Sequence, residues 1–568
     1  MKQVFQSKYG WVVVLAAVAV INLLASKWHS RVDLTAEKRY TVSKATRSLI
    51  KSLPDPVTVT VFLEGDMPAG FKKLASATRD MLQEFKEIDG RNIQYFFRQP
   101  GEGLKDSLKF ELLDSLQQMG INPTNVKAQI KKGEGEEQRL VYPGAVVEYR
   151  DRVMGINFLQ GQSAVDGLNS LNNAEALLEY KFAEAIDKIV RDTVPTLGYL
   201  VGNGQPQSME VYDLIQNTLK TEYAFGILPI DSVPAIPKQF DALLVVKPRH
   251  GFTDGQKLKL DQYVMHGGKI IWLLDNLYAS MDSLMRNENR SFIAFDMGLN
   301  LDDLLFKYGV RINPDLVQDQ NCTSIPFAVG MMGDRPQFQL MPWPYFPLLS
   351  APNNNPIAKN LDYVMAQFPQ SIDTVGAPGI QKTVLLASSP NARILSTPAM
   401  VEVNSVKSED DIRTFNKPHI PVAVLLEGNF SSLYTNRITN ATKDSLVQAQ
   451  QPFLPATEND NKMIVISDAD IVTNAVSQEK GPLQMGENQF TNYKYANKTF
   501  IQNCLEYLVG NPGILETRAK DYTLRVLDKK KLEQDGSFWQ MINIALPIVL
   551  ILLFAVVYIA VMKKRYQS

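Results

Sequence analysis

The sequence predicts an α/β protein, a soluble body of two α/β domains flanked by one transmembrane helix at each end. Three observations predict it. Apolar residues concentrate in a run near each end, a strand–helix–strand alternation opens the body, and short continuously apolar segments such as ALLVV (Ala242–Val246) and IIWLL (Ile270–Leu274) recur beyond it. The 568 residues exceed what one hydrophobic core organises, which argues for several domains. With 45% apolar and 21% charged residues the chain is not largely disordered. Lys and Arg total 59 against 60 Asp and Glu, a net charge of −1, so no global field favours nucleic acid. Only two cysteines, Cys322 and Cys504, exclude a disulfide scaffold, and the four histidines (His29, His250, His266, His419) lie far apart in sequence.

The first run, YGWVVVLAAVAVINLLA from Tyr9 to Ala25, reaches roughly 25 Å as a helix. Its downstream end places Leu23 or Leu24 where a signal-peptide cleavage site needs a small residue, so an uncleaved anchor over residues 9–26 is expected. The second run, Met541 to Met562, reaches roughly 33 Å, lacks a polar face and is followed by Lys563, Lys564 and Arg565. It predicts a span over residues 539–562. Two spans place residues 1–8 and 563–568 on one side of the membrane and the body on the other. Basic residues flank both ends of both spans, so local charge leaves the orientation open.

In the body, Ser43 is a candidate helix cap, with Pro54 ending the segment it opens. VTVTVFLE (Val57–Glu64) alternates as a strand. The following helix aligns Phe71, Leu74, Thr78, Leu82 and Phe85, and NIQYFFR (Asn92–Arg98) returns as a strand parallel to the first. A helix over Leu104–Met119 and a Gly/Glu-rich hairpin region complete a first domain, residues 27–171. This order resembles a thioredoxin-like fold, but the loop Glu64–Gly70 holds no thiol, so dithiol chemistry is excluded. Asn172 and Glu175 fit a capping box opening a linking helix, residues 172–192. From there TLGYLVG, a helix near Met209–Leu219, AFGILPI, FDALLVVKP, a helix opened by the Thr253/Gln256 box and stopped at Gly267 and Gly268, and GKIIWLLD predict a doubly wound sheet in residues 193–513. Residues about 276–416, rich in Pro and Asn, read as an irregular insertion. KTVLLAS, PVAVLLEG, KMIVISD and the helix NKTFIQNCLEYLVG look like the second half of the sheet, and a connector, residues 514–538, leads to the last span.

Doubly wound folds hold catalytic nucleophiles at sharp strand ends, and none is in place: Lys247 to Gly251 follow one strand, and Asp275 and Asn276 another. Asp468 and Asp470, closing a strand in ISDADIV, are the metal or ligand candidates, with a turn and helix cap as the simpler reading. Arg249 and His250 could meet an anion. Cys504 sits at core spacing and Cys322 in a polar stretch, with nothing but their number to pair them. No phosphate loop and no H-E-x-x-H motif occur, so no cofactor is implied.

The anchor followed by RVDLTAEKRYTVSKATRSLIKSLPDPVTVTVFLEG, then FDALLVVKP, LDQYVMHGGKIIWLLD, KMIVISDAD and NKTFIQNCLEYLVGN before a terminal span, resembles the gliding-motility ABC-transporter auxiliary proteins of the GldG type from Bacteroidetes-type bacteria. The resemblance spans essentially the whole chain. It implies an inner-membrane protein with a periplasmic body and cytoplasmic termini, partnered by a separate permease and ATPase in a hetero-oligomer, with a periplasmic protein partner or ligand. It further implies that the second domain is similar to the class I glutamine-amidotransferase fold without its catalytic set. The expected function is a non-catalytic accessory subunit needed for gliding and the linked secretion of surface proteins. Two alternatives remain open, a metal-dependent periplasmic hydrolase using Asp468 and Asp470, and a membrane-anchored solute-binding protein.

Overall fold

The computed structural model describes residues 41–129, 136–159, 167–281, 291–332, 335–403, 409–519 and 529–566, with single positions 15, 18, 19 and 284. The chain forms two compact units, Met1–Lys520 and Asp521–Ser568. The expected first span, residues 9–26, lies outside the described residues except at positions 15, 18 and 19.

In the first unit, Ser43 caps α1 (Lys44–Lys51) by accepting a hydrogen bond from the Thr46 N–H at 3.1 Å. Alternating Val57, Val59 and Val61 of β1 (Val57–Val61) are buried beneath α2 (Ala69–Ile88), which buries the expected stripe of Phe71, Leu74, Thr78, Leu82 and Phe85. The next strand, β2 (Ile93–Phe97), runs parallel to β1 with Ile93 opposite Val57. After α3 (Asp106–Gln118) come a hairpin of Thr124–Gln129 with Glu136–Val141 and the antiparallel pair β3 (Gly144–Tyr149) and β4 (Arg152–Asn157). The sheet order is β2-β1-β3-β4.

The linking helix departs from expectation. Asn172 and Glu175 lie inside α4 (Gly167–Ala176) rather than capping it, and the chain breaks at Leu177 before α5 (Leu178–Val190). The two side chains serve a tertiary contact instead: Lys73 of α2 donates to Asn172 Oδ1 at 3.3 Å and pairs with Glu175 at 2.7 Å. One face of α5 buries Leu178, Phe182, Ile186 and Ile189 in the core of the first sheet. Tyr180 and Ala183 enter the core of the second.

The second sheet has seven strands, β5 (Thr196–Val201), β6 (Ala224–Pro229), β7 (Ala242–Val246), β8 (Lys269–Leu273), β9 (Ile380–Ala387), β10 (Pro421–Gly428) and β11 (Asn461–Ile466), in the order β9-β10-β11-β8-β7-β5-β6. The five from β11 to β6 are parallel; β10 and β9 are antiparallel additions. Successive residues point to opposite faces, so Leu244, Val246, Ile271 and Ile464 join one core with Phe500, Cys504 and Leu505 of α7 (Asn497–Val509). Leu243, Val245, Ile270 and Trp272 join the other with Leu260 and Val264 of α6 (Asp254–Met265). Burial on both faces explains the unbroken apolar strands. The predicted capping box at the start of α6 is present, Thr253 and Gln256 bonding reciprocally, and Gly267 stops it with φ +89°.

Two expectations need correction. The helix near Met209–Leu219 contains a widened turn at Ile215–Leu219, where the Thr218 hydroxyl bonds the Asp213 carbonyl five residues back at 3.1 Å. The stretch 276–416 is not irregular: it pairs Ser291–Asp296 with Ala399–Glu402, Asp315–Asp319 with Ala392–Ser396, and Cys322–Met332 with Arg335–Leu349, and it also supplies β9. Prolines such as Pro326, Pro336 and Pro342 hid these strands. The third strand of this sheet, Val364–Met365, meets the hairpin only at Leu348 and Leu349, so among the described residues the rest of the pair has outer edges where proline is tolerated.

Between α5 and α7 lies a buried ionic network. Glu506 accepts from Arg191 Nη2 at 3.0 Å and from the Tyr223 hydroxyl at 2.8 Å, and lies 3.5 Å from the Lys188 ammonium. Burial raises the Glu506 pKa, but Lys188 and Arg191 outweigh it and hold the carboxyl below its ordinary value. Arg518, also buried, donates to the Lys359 carbonyl at 3.1 Å and to Asn503 Oδ1 at 2.9 Å, with its guanidinium 5.5 Å from the Tyr180 ring centre.

The second unit contains α8 (Lys529–Tyr566). Within it Gln540–Val561, 22 residues with none of the span buried, is long and apolar enough to cross a membrane; it is the sole such helix among the described residues.

Removing the carboxylate of Glu506 takes one partner from Lys188, which keeps Glu184 and Glu222, and one from Arg191, which keeps Asp187, and it leaves the buried Tyr223 hydroxyl without its acceptor. Glu506→Ala is therefore expected to cost about 1.5–3 kcal/mol. Urea unfolding of the full-length chain in detergent checks this, and a change below about 1 kcal/mol would contradict the buried pairing.

Candidate functional site

In open α/β sheets ligands bind outside the carboxyl ends of the parallel strands. Three adjacent strands bring charged residues to that edge: Lys247 follows β7, Asp275 follows β8, and Asp468 and Asp470 follow β11. The Lys247 backbone holds a left-handed conformation (φ 47°), and its N–H bonds the Leu273 carbonyl at 2.8 Å. Its ammonium pairs with Asp470 and lies 3.4 Å from Asp275.

Each carboxylate is also held by the backbone. Asp468 is fully buried; its Oδ2 accepts from the Gln367 N–H at 2.6 Å and its Oδ1 from the Asp470 N–H at 2.7 Å. Asp275 Oδ1 accepts from the Ala469 N–H at 2.7 Å, and Asp470 Oδ1 from the Thr473 hydroxyl at 2.7 Å. The segment around Val364–Ile372 closes the edge: Gln370 accepts from the Asn276 N–H at 3.2 Å and from the Ser467 hydroxyl at 2.5 Å.

The electrostatics follow from one cation among three acids. Burial, then Asp275 and Asp470, push the Asp468 carboxyl well above the carboxylate range. Burial likewise raises Asp275 to about 6, with Lys247 opposing and Asp470 adding to the rise. Lys247 loses solvation, yet Asp470 and Asp275 keep its ammonium above the ordinary lysine range. Sequence reasoning named Asp468 and Asp470 and found the cap of the simpler reading, for Asp468 accepts from the Asp470 N–H at a short helical turn. It missed Lys247 as the counter-ion, although its place at a strand end was visible. The Lys247 ammonium supplies the positive charge that a metal would have to replace.

The other candidates lie apart from this cluster. Arg249 and His250 are exposed in the loop after β7, their backbone N–H groups bonding the Asn203 carbonyl at 2.8 and 3.0 Å. Arg249 lies 3.6 Å from Glu210. Cys322 and Cys504 are both free; burial drives the Cys322 thiol up to about 12, and Cys504 is wholly within the core. Beside the acidic edge a cavity of about 690 Å³ opens, lined by Asn276, Asp302, Lys307, Arg311 and Arg437 among others.

A mixed α/β body whose strand-end crevice is filled by its own side chains, followed by an apolar helix of membrane-spanning length, defines the class. Residues 194–504, more than half of the chain, match the family described as an ABC-type uncharacterized transport system. The chain belongs to this family, whose members are auxiliary proteins of ABC transporters. Residues 36–148 match a domain of unknown function, DUF7088. An uncharacterized protein of Borreliella burgdorferi is 20% identical over 438 residues, covering 74% of this chain and 78% of that protein. Among solved structures, the mmIFT52 N-terminal domain aligns with TM-score 0.29 at 12% identity, over 56% of this chain and 98% of that one. The exo-β-1,4-mannosidase Op5Man5 from Opitutaceae bacterium strain TAV5 aligns with TM-score 0.18 at 10% identity, over 77% and 52%. At these scores neither defines the fold.

Asp275 binds its proton more tightly in the folded chain (about 6) than at its ordinary value of 3.8, so folding takes up a proton between these pH values. The stability it contributes is present at low pH and is lost as pH rises through that window. The stability of the native chain relative to Asp275→Asn should therefore fall on the order of 1–3 kcal/mol from about pH 4 to about pH 6 and level off above. Urea midpoints across this range test it; parallel profiles would show that Asp275 is not so perturbed.

Proposed function

We propose that this chain is a non-catalytic, membrane-anchored accessory subunit of an ABC transporter complex. The observation that carries the proposal is the occupied carboxyl edge of the main sheet. Where an enzyme of this architecture would keep a nucleophile or metal, Lys247, Asp275, Asp468 and Asp470 satisfy one another and the backbone. Membership of the transport-system family and the apolar helix Gln540–Val561 support a role beside a permease and its ATPase, bound through the span.

Several finer features belong to the same proposal. The first domain, residues 27–171, is thioredoxin-like, supported by its β2-β1-β3-β4 order and the parallel β1–β2 pair. The second, residues 193–513, is a doubly wound amidotransferase-like domain, supported by five parallel strands with helices on both faces. A second anchor at residues 9–26 leaves both termini on one side of the membrane and the body on the other, and the resemblance to the gliding-motility auxiliary proteins supports a periplasmic body with cytoplasmic termini at the bacterial inner membrane. The motif order from Arg31 to Asn511 supports gliding motility and the linked secretion of surface proteins as the process served. A second reading, a membrane-anchored solute-binding protein, is favoured by one observation, the 690 Å³ cavity beside Asn276.

The test is affinity purification of the tagged full-length chain from its native membranes, with and without residues 540–561. A permease and an ATPase should co-purify with the full chain and be lost with the truncation. A chain that purifies alone, and whose deletion leaves gliding and secretion intact, would sink the accessory role.

A further inference from the structure

The cavity of about 690 Å³ beside the acidic edge lies among Asn276, the helix Asp302–Tyr308 and the strand Val310–Ile312, and its volume falls in the range of small-ligand sites. Phe306, Ile312 and Leu433 give it an apolar wall, and Phe306 is 54% exposed. One end is acidic. There the Met297 N–H bonds the Asn276 carbonyl at 2.8 Å and the Asn276 N–H bonds Gln370 Oε1 at 3.2 Å, so the backbone of Asn276 is held on both sides. Its side-chain Oδ1 is buried without a hydrogen-bond donor. An acceptor left in that state costs about 1–3 kcal/mol, which a donor on a ligand recovers. Asp296, next to Met297, accepts from the Gly298 N–H at 2.7 Å, whereas the Asp302 side chain has neither a hydrogen bond nor an ion pair among the described residues. Burial, then the nearby Asp296 and Asp303, raise the Asp302 pKa, as happens to an acid short of positive charge.

The other end is basic. Arg311 is paired with Asp373 at 3.0 Å, and Arg437 lies 3.6 Å from Asp303, which Lys257 also holds at 3.0 Å. The Lys307 ammonium has no such partner among the described residues. The cavity thus presents an unpaired carboxylate, an orphaned amide oxygen and an unpaired ammonium around an apolar wall. Asp302 and Lys307 stand five residues apart on one helix, roughly 7.5 Å along its axis.

We infer that this cavity binds a short apolar peptide by its free ends, the ammonium on Asp302 and Asn276 Oδ1, the carboxylate on Lys307, and a side chain against Phe306 and Leu433. About two extended residues, roughly 7 Å, match the separation of the two charges along the helix. The inference rests on the solute-binding reading of this cavity and names the class of ligand it takes.

Isothermal titration calorimetry of the full-length chain in detergent tests it, using unblocked Leu-Leu, its N-acetyl and C-amide forms, free leucine and glucose. Saturable binding of Leu-Leu is expected, about tenfold weaker for Asp302→Asn, for Lys307→Gln and for either blocked form. Acetylation should cost Asp302→Asn nothing further, and amidation should cost Lys307→Gln nothing further, which assigns each end of the peptide to its residue. Both side chains are exposed, so the two variants should melt with the native chain. Equal affinity for blocked and unblocked peptide, or variants that bind Leu-Leu as the native chain does, would overturn the inference. Free leucine binding more tightly than Leu-Leu would overturn the length of two residues. Saturable binding of glucose but not of Leu-Leu would sink the peptide and keep the solute-binding reading, whereas binding of none of these probes would count against both. Neither result would disturb co-purification with a permease, on which the accessory role is tested.

Discussion

One buried ammonium, that of Lys247, sits among carboxylates from the ends of two neighbouring strands, and the form of the carboxyl edge follows from it. Burying an ion costs several kcal/mol unless it is paired and hydrogen-bonded. With a single cation available, burial and the neighbouring acids raise the pKa of the Asp468 carboxyl well above the carboxylate range and that of Asp275 to about 6. The N–H groups of Gln367, Ala469 and Asp470 then satisfy the remaining oxygens. Those bonds draw the chain around Gln367–Gln370 across the strand ends, which closes the place where such sheets bind substrate.

A second charged centre does comparable work where the two sheets meet. The helix α5 contributes to both cores, and its Lys188 and Arg191 converge on Glu506 of α7. The first sheet is thereby fixed to the helix that backs the second. Arg518, close to the end of the first unit, is tied to Asn503 of the same helix. The two sheets are packed together through α5, and a relative movement between them would disturb both its core contacts and the ion pairs at Glu506.

Much of this architecture was legible from residue pattern. The βαβ unit, the Thr253 box and the apolar strands of the main sheet follow from local periodicity, which tertiary packing reinforces rather than overrides. The failures have physical causes. Asn172 and Glu175 carry a cap-like spacing but are taken by Lys73. Between Ser291 and Glu402, Ser291–Asp296 and Asp315–Asp319 pair over long sequence distances with Ala399–Glu402 and Ala392–Ser396, while prolines interrupt the alternation of the long hairpin of Cys322–Met332 with Arg335–Leu349. Asp468 and Asp470 stood out as an acidic pair, but their role depends on Lys247, 223 residues from Asp470, which no local pattern connects to them.

The strand ends of the main sheet hold Lys247, Asp275, Asp468 and Asp470 against one another, which in the proposed accessory role leaves the body's surface to meet proteins. An experimental density map of the chain bound to its transporter tests this most directly. The account predicts Lys247 seated between Asp275 and Asp470, Asp468 on the Gln367 and Asp470 amides, no metal or ligand density at the strand ends, and protein contacts on the body's surface. A displaced Lys247 with an ion or substrate held between Asp468 and Asp470 would contradict it.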